Sequence, residues 1–400
     1  MRSLSHSFYV ALLLAVGLNA FFLWFLSLQP VILLNGHRRM IPQGLEDARS
    51  PSTAVITSQD SRTSLVENQS LPKWVTSYLE WHVQTRKHLN ETTWRDHKYL
   101  VSRCYVNDPQ CGGLVDRLRG LPFLLQVAAM TGRLLVFHWE RPCDLTEFLQ
   151  PRAIDWTLPP FVEVPRHSFT FIRVKDVPYI QKSPETVVSM RLQAYKEAEK
   201  FFDRYKVTVD DANSKTVLSP LWNLFFQPSA PIRQQLESFY QEHNLVPSRY
   251  FAVHLRTLYA ENRTSDKVAL VESVRNALAC TSKLGGFSSS VPIVVVSDNK
   301  KAADFAARLA PHNVINQSAR AADDYDGPIL HLDRGADFLD RPGAVMSKAY
   351  PVEAYYATFV DFYLLIGAKC VAFDRGGFGR LASLLSDDPT CFYDHSRHTC

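Results

Sequence analysis

The stretch Tyr250-Phe251-Ala252-Val253-His254-Leu255-Arg256-Thr257 decides how the rest of the chain is read. A short apolar, β-rich run ends in a His-x-Arg pair. Such a run, lacking polar alternation, reads as a strand buried on both faces of a parallel sheet. The pair then falls at the strand's carboxyl end, the edge of open α/β sheets where ligands bind. A guanidinium fixed there holds a phosphate through two parallel hydrogen bonds, which an ammonium does less well. Two readings of Arg256 stand at this point. It grips an anion such as the diphosphate of a nucleotide-sugar, or it is a structural arginine paired with a carboxylate beside the sheet.

Downstream of this strand the pattern alternates. Helix 267–284 is followed by a Gly/Ser linker at 285–290 and a strand at 293–296. Then come helix 300–309, strand 313–315, and a short strand or turn at 329–332. Helix 352–365, strand 370–373 and helix 378–385 complete the series. Upstream, residues 99–105 read as a strand and Cys111-Gly112-Gly113 as a tight turn. Residues 114–131 then read as one amphipathic helix capped by Gly132, before a strand at 134–138. This is the β-turn-α-β opening of a Rossmann-like unit. Between the two series, a short helix is expected at 146–149 and longer ones at 185–205 and 232–243. Aromatic residues around Trp74–Trp94 suggest a leading helix or two whose rings pack in the core. The predicted fold class is α/β, with a parallel sheet in each of two Rossmann-like halves, 98–247 and 248–400, facing across a cleft.

The ends of the chain are different. Residues 8–34 are almost wholly apolar, long enough to cross a bilayer as a helix and longer than a usual signal-peptide core. Residues 1–7 form a short tail before it, and 40–71, rich in Ser, Thr, Gln, Asp and Pro, read as a stem within 35–97. Sequons at Asn68, Asn90, Asn262 and Asn316 all follow the apolar span and point to a lumenal body behind a type II anchor. Seven cysteines without zinc spacing fit an oxidising compartment. Cys104–Cys111 and Cys391–Cys400 bracket loops and are plausible local disulfides, and the odd count leaves at least one cysteine outside an internal pair. A net charge of +4 over 400 residues is too weak to argue for nucleic acid.

Four stretches converge on the expected cleft. Gly112-Gly113 opens the first helix of the first half, where bare backbone approaches a ligand closely. This is not GxGxxG, so a dinucleotide site is not supported. His254-x-Arg256 and Ser297-Asp298 end successive strands of the second half. Asp298 is an acceptor for a ligand hydroxyl or the N-cap of the helix from Lys300. Asp374-Arg375-Gly376-Gly377-Phe378 ends the last strand and offers amides to an anion. Phe378 is either a core residue or a stacking partner for a base.

These stretches carry a resemblance. Cys111-Gly-Gly-Leu-Val-Asp-Arg-Leu-Arg-Gly120 with Thr131-Gly132-Arg133 resembles the "GxGDRLRG … TGR" opening of fucosyltransferase-like proteins. That group includes α1,6-fucosyltransferases, nodulation fucosyltransferases and protein O-fucosyltransferases. His254-Leu-Arg256 is similar to their HxR motif, Val294-Val-Val-Ser-Asp298 to their acid-ended strand, and Ala372–Ala382 to their C-terminal "SxSxFxxxA" segment. The resemblance covers residues 98–390. It implies a GT-B-like fold and an inverting enzyme using GDP-fucose, with no metal or other cofactor, on a glycan or glycoprotein acceptor. In that family the HxR arginine binds the β-phosphate, which would be Arg256 here, and the histidine contacts the nucleotide in some members, which would be His254. The expected donor-binding set is Gly112, Gly113, His254, Arg256, Asp298, Gly376, Gly377 and Phe378.

The chain departs from the family at Thr257, where many α1,6 enzymes have a second arginine. It departs again at Asp374, Gly376 and Gly377, where relatives carry serines. For the base that deprotonates the acceptor hydroxyl, two candidates stand. Glu261 follows HxR in a position similar to the acid of some relatives, beside the sequon Asn262. Asp116 is the rival, unless Asp116-Arg117 is a salt bridge. With the apolar span, the expectation is a Golgi membrane enzyme. The alternatives are a GT-B transferase for another nucleotide-sugar, or a tethered glycan-binding protein without turnover.

Overall fold

The computed structural model describes residues 71–106, 108, 111–165, 169–191, 214–257, 267–310, 313–316, 330, 332 and 350–400. Helix α1 (Lys73–Lys87) leads into strand β1 (Lys98–Cys104), followed by α2 (Leu114–Leu118), α3 (Leu121–Thr131) and β2 (Arg133–Trp139). The single helix expected over 114–131 is thus two. Gly120 caps the second, and Pro122 sits in its first turn, where a missing N–H costs nothing. Gly132 closes α3 at φ 61°, the left-handed cap expected from the sequence. Strand β3 (Leu149–Pro151), helix α4 (Val177–Lys182) and β4 (Val187–Met190) follow.

The first sheet is parallel in the order β2-β1-β4. The free edge of β2 is not bare. Tyr78 on α1 donates its hydroxyl to Arg133 O (2.9 Å) and accepts from Leu135 N (3.0 Å). His82 Nε2 lies 3.1 Å from Leu135 O, and Phe137 N donates to Trp156 O at 2.8 Å. These groups satisfy backbone atoms that a fourth strand would otherwise pair.

Helix α5 (Ser214–Phe225) and strand β5 (Phe226–Pro228), antiparallel to β3, precede α6 (Ala230–Glu242). The second sheet is built from β6 (Phe251–Leu255), α7 (Lys267–Thr281), β7 (Ile293–Ser297), α8 (Lys300–Leu309) and β8 (Val314–Asn316). It continues with α9 (Tyr356–Ile366), β9 (Cys370–Phe373), α10 (Phe378–Leu385) and β10 (Phe392–Asp394). Its order is β10-β9-β6-β7-β8, all parallel, with β6 at the centre. Phe251, Val253 and Leu255 pack with Val274 of α7 and Ala302 of α8, while Ala252 faces the cluster holding Phe359 of α9 and Leu381 of α10. Helices cover both faces, which is why β6 is continuously apolar. The second cluster also takes in Leu135 and Phe137 of β2, so the two sheets share a core. Phe148 stacks on Phe359 with centroids 4.3 Å apart, and Trp222 meets Phe362 at 5.5 Å.

Several expectations fail. The helix expected over 185–205 contains β4, because Val187-Val188-Ser189-Met190 is fully buried as the third strand beside β1. The helix at 146–149 is a 3-10 turn at Leu145–Glu147 running into β3. At 329–332, expected as a short strand or turn, Leu332 lies in a turn and Leu330 in coil, both buried. Cys391 pairs with Cys370 and Cys400 with Cys280, not with each other. Only Cys104–Cys111 forms as the local bridge expected, and Cys143 is left over. Tertiary proximity overrides loop spacing here: Cys370 starts β9, directly beside β10. Among the described residues no helix is long and apolar enough to cross a membrane, and the apolar span 8–34 lies outside them.

Candidate functional site

The site forms where the carboxyl ends of β6 and β9 meet. Asp374 N donates to His254 O at 3.2 Å and holds the two strand ends together. Gly376 follows with φ 94°, a conformation that L side chains rarely adopt. A Cβ there would come within 3.2 Å of Arg256 Cδ and 3.5 Å of its Nε and Nη1. The arginine therefore lies across a bare glycine, which fixes where its guanidinium emerges. The N-terminus of α10 opens beside it, with first-turn N–H groups that have no partner inside the helix.

Gly377 joins this turn to the first half. A Cβ on Gly377 would meet Val115 Cγ1 at 2.6 Å, so the turn and α2 pack backbone to side chain. Val115 lies in the first turn of α2, just after Gly112 and Gly113. Four predicted residues, Gly112, Gly113, Gly376 and Gly377, are thus brought into one region with Arg256. Gly112 has φ 77°, and Asp116 Oδ2 accepts from Gly113 N at 3.0 Å. The turn is fastened further by the Cys104–Cys111 disulfide and by Asp108, whose Oδ2 accepts from Arg103 and from Tyr105 N, each at 2.8 Å.

Arg117 and Arg141 are supports that the sequence reading missed in this role. Arg117 is 2% exposed, donates to Gly112 O (2.9 Å) and Arg141 O (2.5 Å), and stacks over Trp139 at 4.6 Å. Its second Nη reaches Leu332 O of the second half at 3.4 Å. Arg141 Nη1 in turn donates to Asp108 O at 2.5 Å. The hydrogen bonds found for Asp116 and Arg117 go to backbone groups, which argues against a salt bridge between them. Asp116 spends its carboxylate on capping its own helix.

His254 is placed below the surface, 4% exposed. Its ring is 5.4 Å from that of Phe378, and a Cβ on Gly379 would approach its Nδ1 to 3.0 Å. Burial, reinforced by the charge of Arg256 and by His395, pushes its pKa down to about 3. It is therefore a neutral buttress under Arg256. Phe378 also touches Phe362 at 5.2 Å, so its ring packs into the core between His254 and α9. Asp298 does not cap α8. Asn299 does, accepting from Lys301 N at 3.0 Å, while Asp298 Oδ1 accepts from Thr257 N at 2.8 Å and ties β7 to the residue after Arg256. Glu261, Asn262 and Asn68 lie outside the described residues. Asn90 is exposed, its Oδ1 accepting from Thr92 and Thr93 amides, whereas Asn316 Nδ2 is engaged with Asp304 at 2.7 Å. Among the described residues no group of three His, Cys, Asp or Glu side chains is arranged to hold a metal ion.

A cation braced on a glycine turn, flanked by helix N-terminal amides and a second glycine turn, can hold a diphosphate. No family model matches the chain, and no curated protein matches it. Its fold is nonetheless similar to that of a solved structure, a mutant of Arabidopsis thaliana FUT1 in complex with GDP. The match has a TM-score of 0.51 at 12% identity, over 80% of this chain and 79% of that one. NodZ α-1,6-fucosyltransferase soaked with GDP-fucose aligns at 16% identity over 72% of this chain and 93% of that one. Its TM-score is 0.43. The fold is the fucosyltransferase-like one that the motifs suggested.

Proposed function

We propose that the chain is a glycosyltransferase that moves fucose from GDP-fucose to a glycan or glycoprotein acceptor. It does so with inversion, without a metal ion, in the Golgi lumen behind a type II anchor at residues 8–34. The observation that carries this reading is Arg256 seated on Gly376 (φ 94°) at the meeting of β6, β9 and α10. The acceptor hydroxyl oxygen forms a bond to the anomeric carbon as the bond from that carbon to the diphosphate oxygen breaks. The electron pair leaves with the diphosphate, Arg256 with the α10 amides stabilises the charge that builds there, and the hydroxyl proton passes to a general base, the role proposed for Glu261. Neutral His254 adds no competing charge below it.

The test is a donor panel on the full chain, comparing GDP-fucose, GDP-mannose and UDP-sugars with EDTA or Mn²⁺ present. Turnover of GDP-fucose that survives EDTA is the expected result. Strict Mn²⁺ dependence, or preference for a UDP-sugar, defeats the proposal. Protease protection in sealed vesicles tests the lumenal placement.

A further inference from the structure

The backbone around Arg256 is tied down on both sides. Before it, His254 O accepts from Asp374 N at 3.2 Å and lies 3.2 Å from Nε2 of His395, while Leu255 O accepts from Asp298 N at 3.3 Å. After it, Thr257 N donates to Asp298 Oδ1 at 2.8 Å. Asp374 and Asp298 end β9 and β7 and belong to the site already described. His395 does not: it follows β10, at the far edge of the sheet, and its ring reaches past the end of β9 to β6.

His395 is 4% exposed, and a buried imidazole is costly unless it is hydrogen-bonded. The hydrogen bond found for its ring goes to the His254 carbonyl. A carbonyl only accepts, so Nε2 carries the proton. Burial lowers the pKa of His395, against the pull of the Asp374 and Asp394 carboxylates. The ring is therefore neutral at pH 7 and brings no second cation beneath Arg256.

The segment that carries the ring is strapped in place. His395 N donates to Phe373 O at 3.0 Å and continues the pairing of β10 with β9 by one residue. Asn276 of α7 donates through Nδ2 to His395 O (3.1 Å) and His398 O (2.9 Å), and its Oδ1 accepts from Cys400 N (2.7 Å). Cys400 is joined to Cys280, one turn further along the same helix. The strap 395–400 is thus fixed to α7 at both ends, and its one buried imidazole ends on the strand that presents Arg256.

We infer that His395 is a positioning residue of the donor site: its Nε2–H fixes the His254–Leu255 peptide, and with it the direction in which Arg256 leaves β6. What the guanidinium grips, a nucleoside diphosphate, rests on the transferase reading above; the fixing of the strand end does not.

The experiment titrates GDP into the full chain in detergent by calorimetry, with urea unfolding measured alongside. His395→Leu keeps apolar bulk and removes the N–H, whereas His395→Gln carries an amide N–H to about the place of Nε2. GDP binding is expected to weaken about three- to tenfold in His395→Leu and to return within twofold of wild type in His395→Gln. Gly132→Ala, which loses stability away from the site, should bind GDP as wild type does. If the leucine variant does not fold, His395→Asn replaces it, since its shorter amide falls short of His254 O. GDP affinity within twofold of wild type without the N–H, or glutamine as weak as leucine, overturns the inference. Failure of wild type to bind GDP defeats the transferase reading instead. The strand end is then read from hydrogen exchange of the Asp374 amide, which shares the His254 carbonyl. Exchange should quicken in His395→Leu and recover in His395→Gln, and an unchanged rate overturns the inference.

Discussion

Replacing Gly376 by alanine separates backbone strain from donor binding. At φ 94° any L residue is strained, at a cost of about 1–3 kcal/mol. The new methyl would also stand 3.2 Å from Arg256 Cδ, closer than ordinary contact, so the arginine must move. A displaced guanidinium loses a charge-assisted hydrogen bond to phosphate worth about 1.5–3 kcal/mol, hence roughly ten- to a hundredfold in GDP affinity. Gly132→Ala is the control, because Gly132 has φ 61° with nothing within 4 Å of the added atom. Both variants should lose stability in urea titrations, while calorimetry with GDP should register a weaker Kd for Gly376→Ala alone. Equal GDP affinity in the two variants refutes the seating of Arg256 as a phosphate grip.

Asp116→Asn keeps an acceptor for the Gly113 amide, so kcat in a transfer assay should stay within about threefold of wild type. A general base would cost on the order of 10²–10⁴. Acid lability should trace in large part to buried histidines, His82 and His254 foremost, with His395 shifted the same way by burial. Burial above all holds the pKa of His82 at about 4 and of His254 at about 3, against 6.5 when unfolded. As pH falls the unfolded chain takes up these protons first, so stability is full above 6.5 and is lost toward 4 and 3. Unfolding free energies from urea titrations at pH 7 and 5 should differ by about 2 kcal/mol per histidine; a flat profile contradicts their burial. Cys280–Cys400 spans 120 residues and Cys104–Cys111 spans 7. Opening the first by Cys400→Ser should cost ~5 kcal/mol and opening the second by Cys111→Ser ~2.5, read from denaturant midpoints.

Much of this arrangement was legible in the chain because its signals are local. The continuous apolar run of β6, the Gly132 cap and the strand–helix alternation of the second half each follow from nearest-neighbour chemistry. β4 was not legible, since four buried residues sit between polar segments that read as helix. β10 is three residues long, with Phe392 left 44% exposed, and offers no pattern to detect. Cys370–Cys391 depends on β9 and β10 lying side by side, and Cys280–Cys400 on α7 meeting the last residue, which spacing does not encode. At the site, Arg256 and the glycine turns were found because a motif concentrates them. Arg117 stood inside the same motif, yet its backbone bond to Leu332, 215 residues away, appears only in three dimensions. Adjacent acceptors misled the reading of Asp298, where Asn299 takes the cap.

The grip on the diphosphate is tested most directly by titrating GDP into the full chain and into Arg256→Ala, with thermal unfolding measured on both. Loss of GDP affinity by roughly a hundredfold with Tm near that of wild type is the predicted result. GDP binding within twofold of wild type, or a collapse of Tm, contradicts it and leaves Arg256 a structural residue.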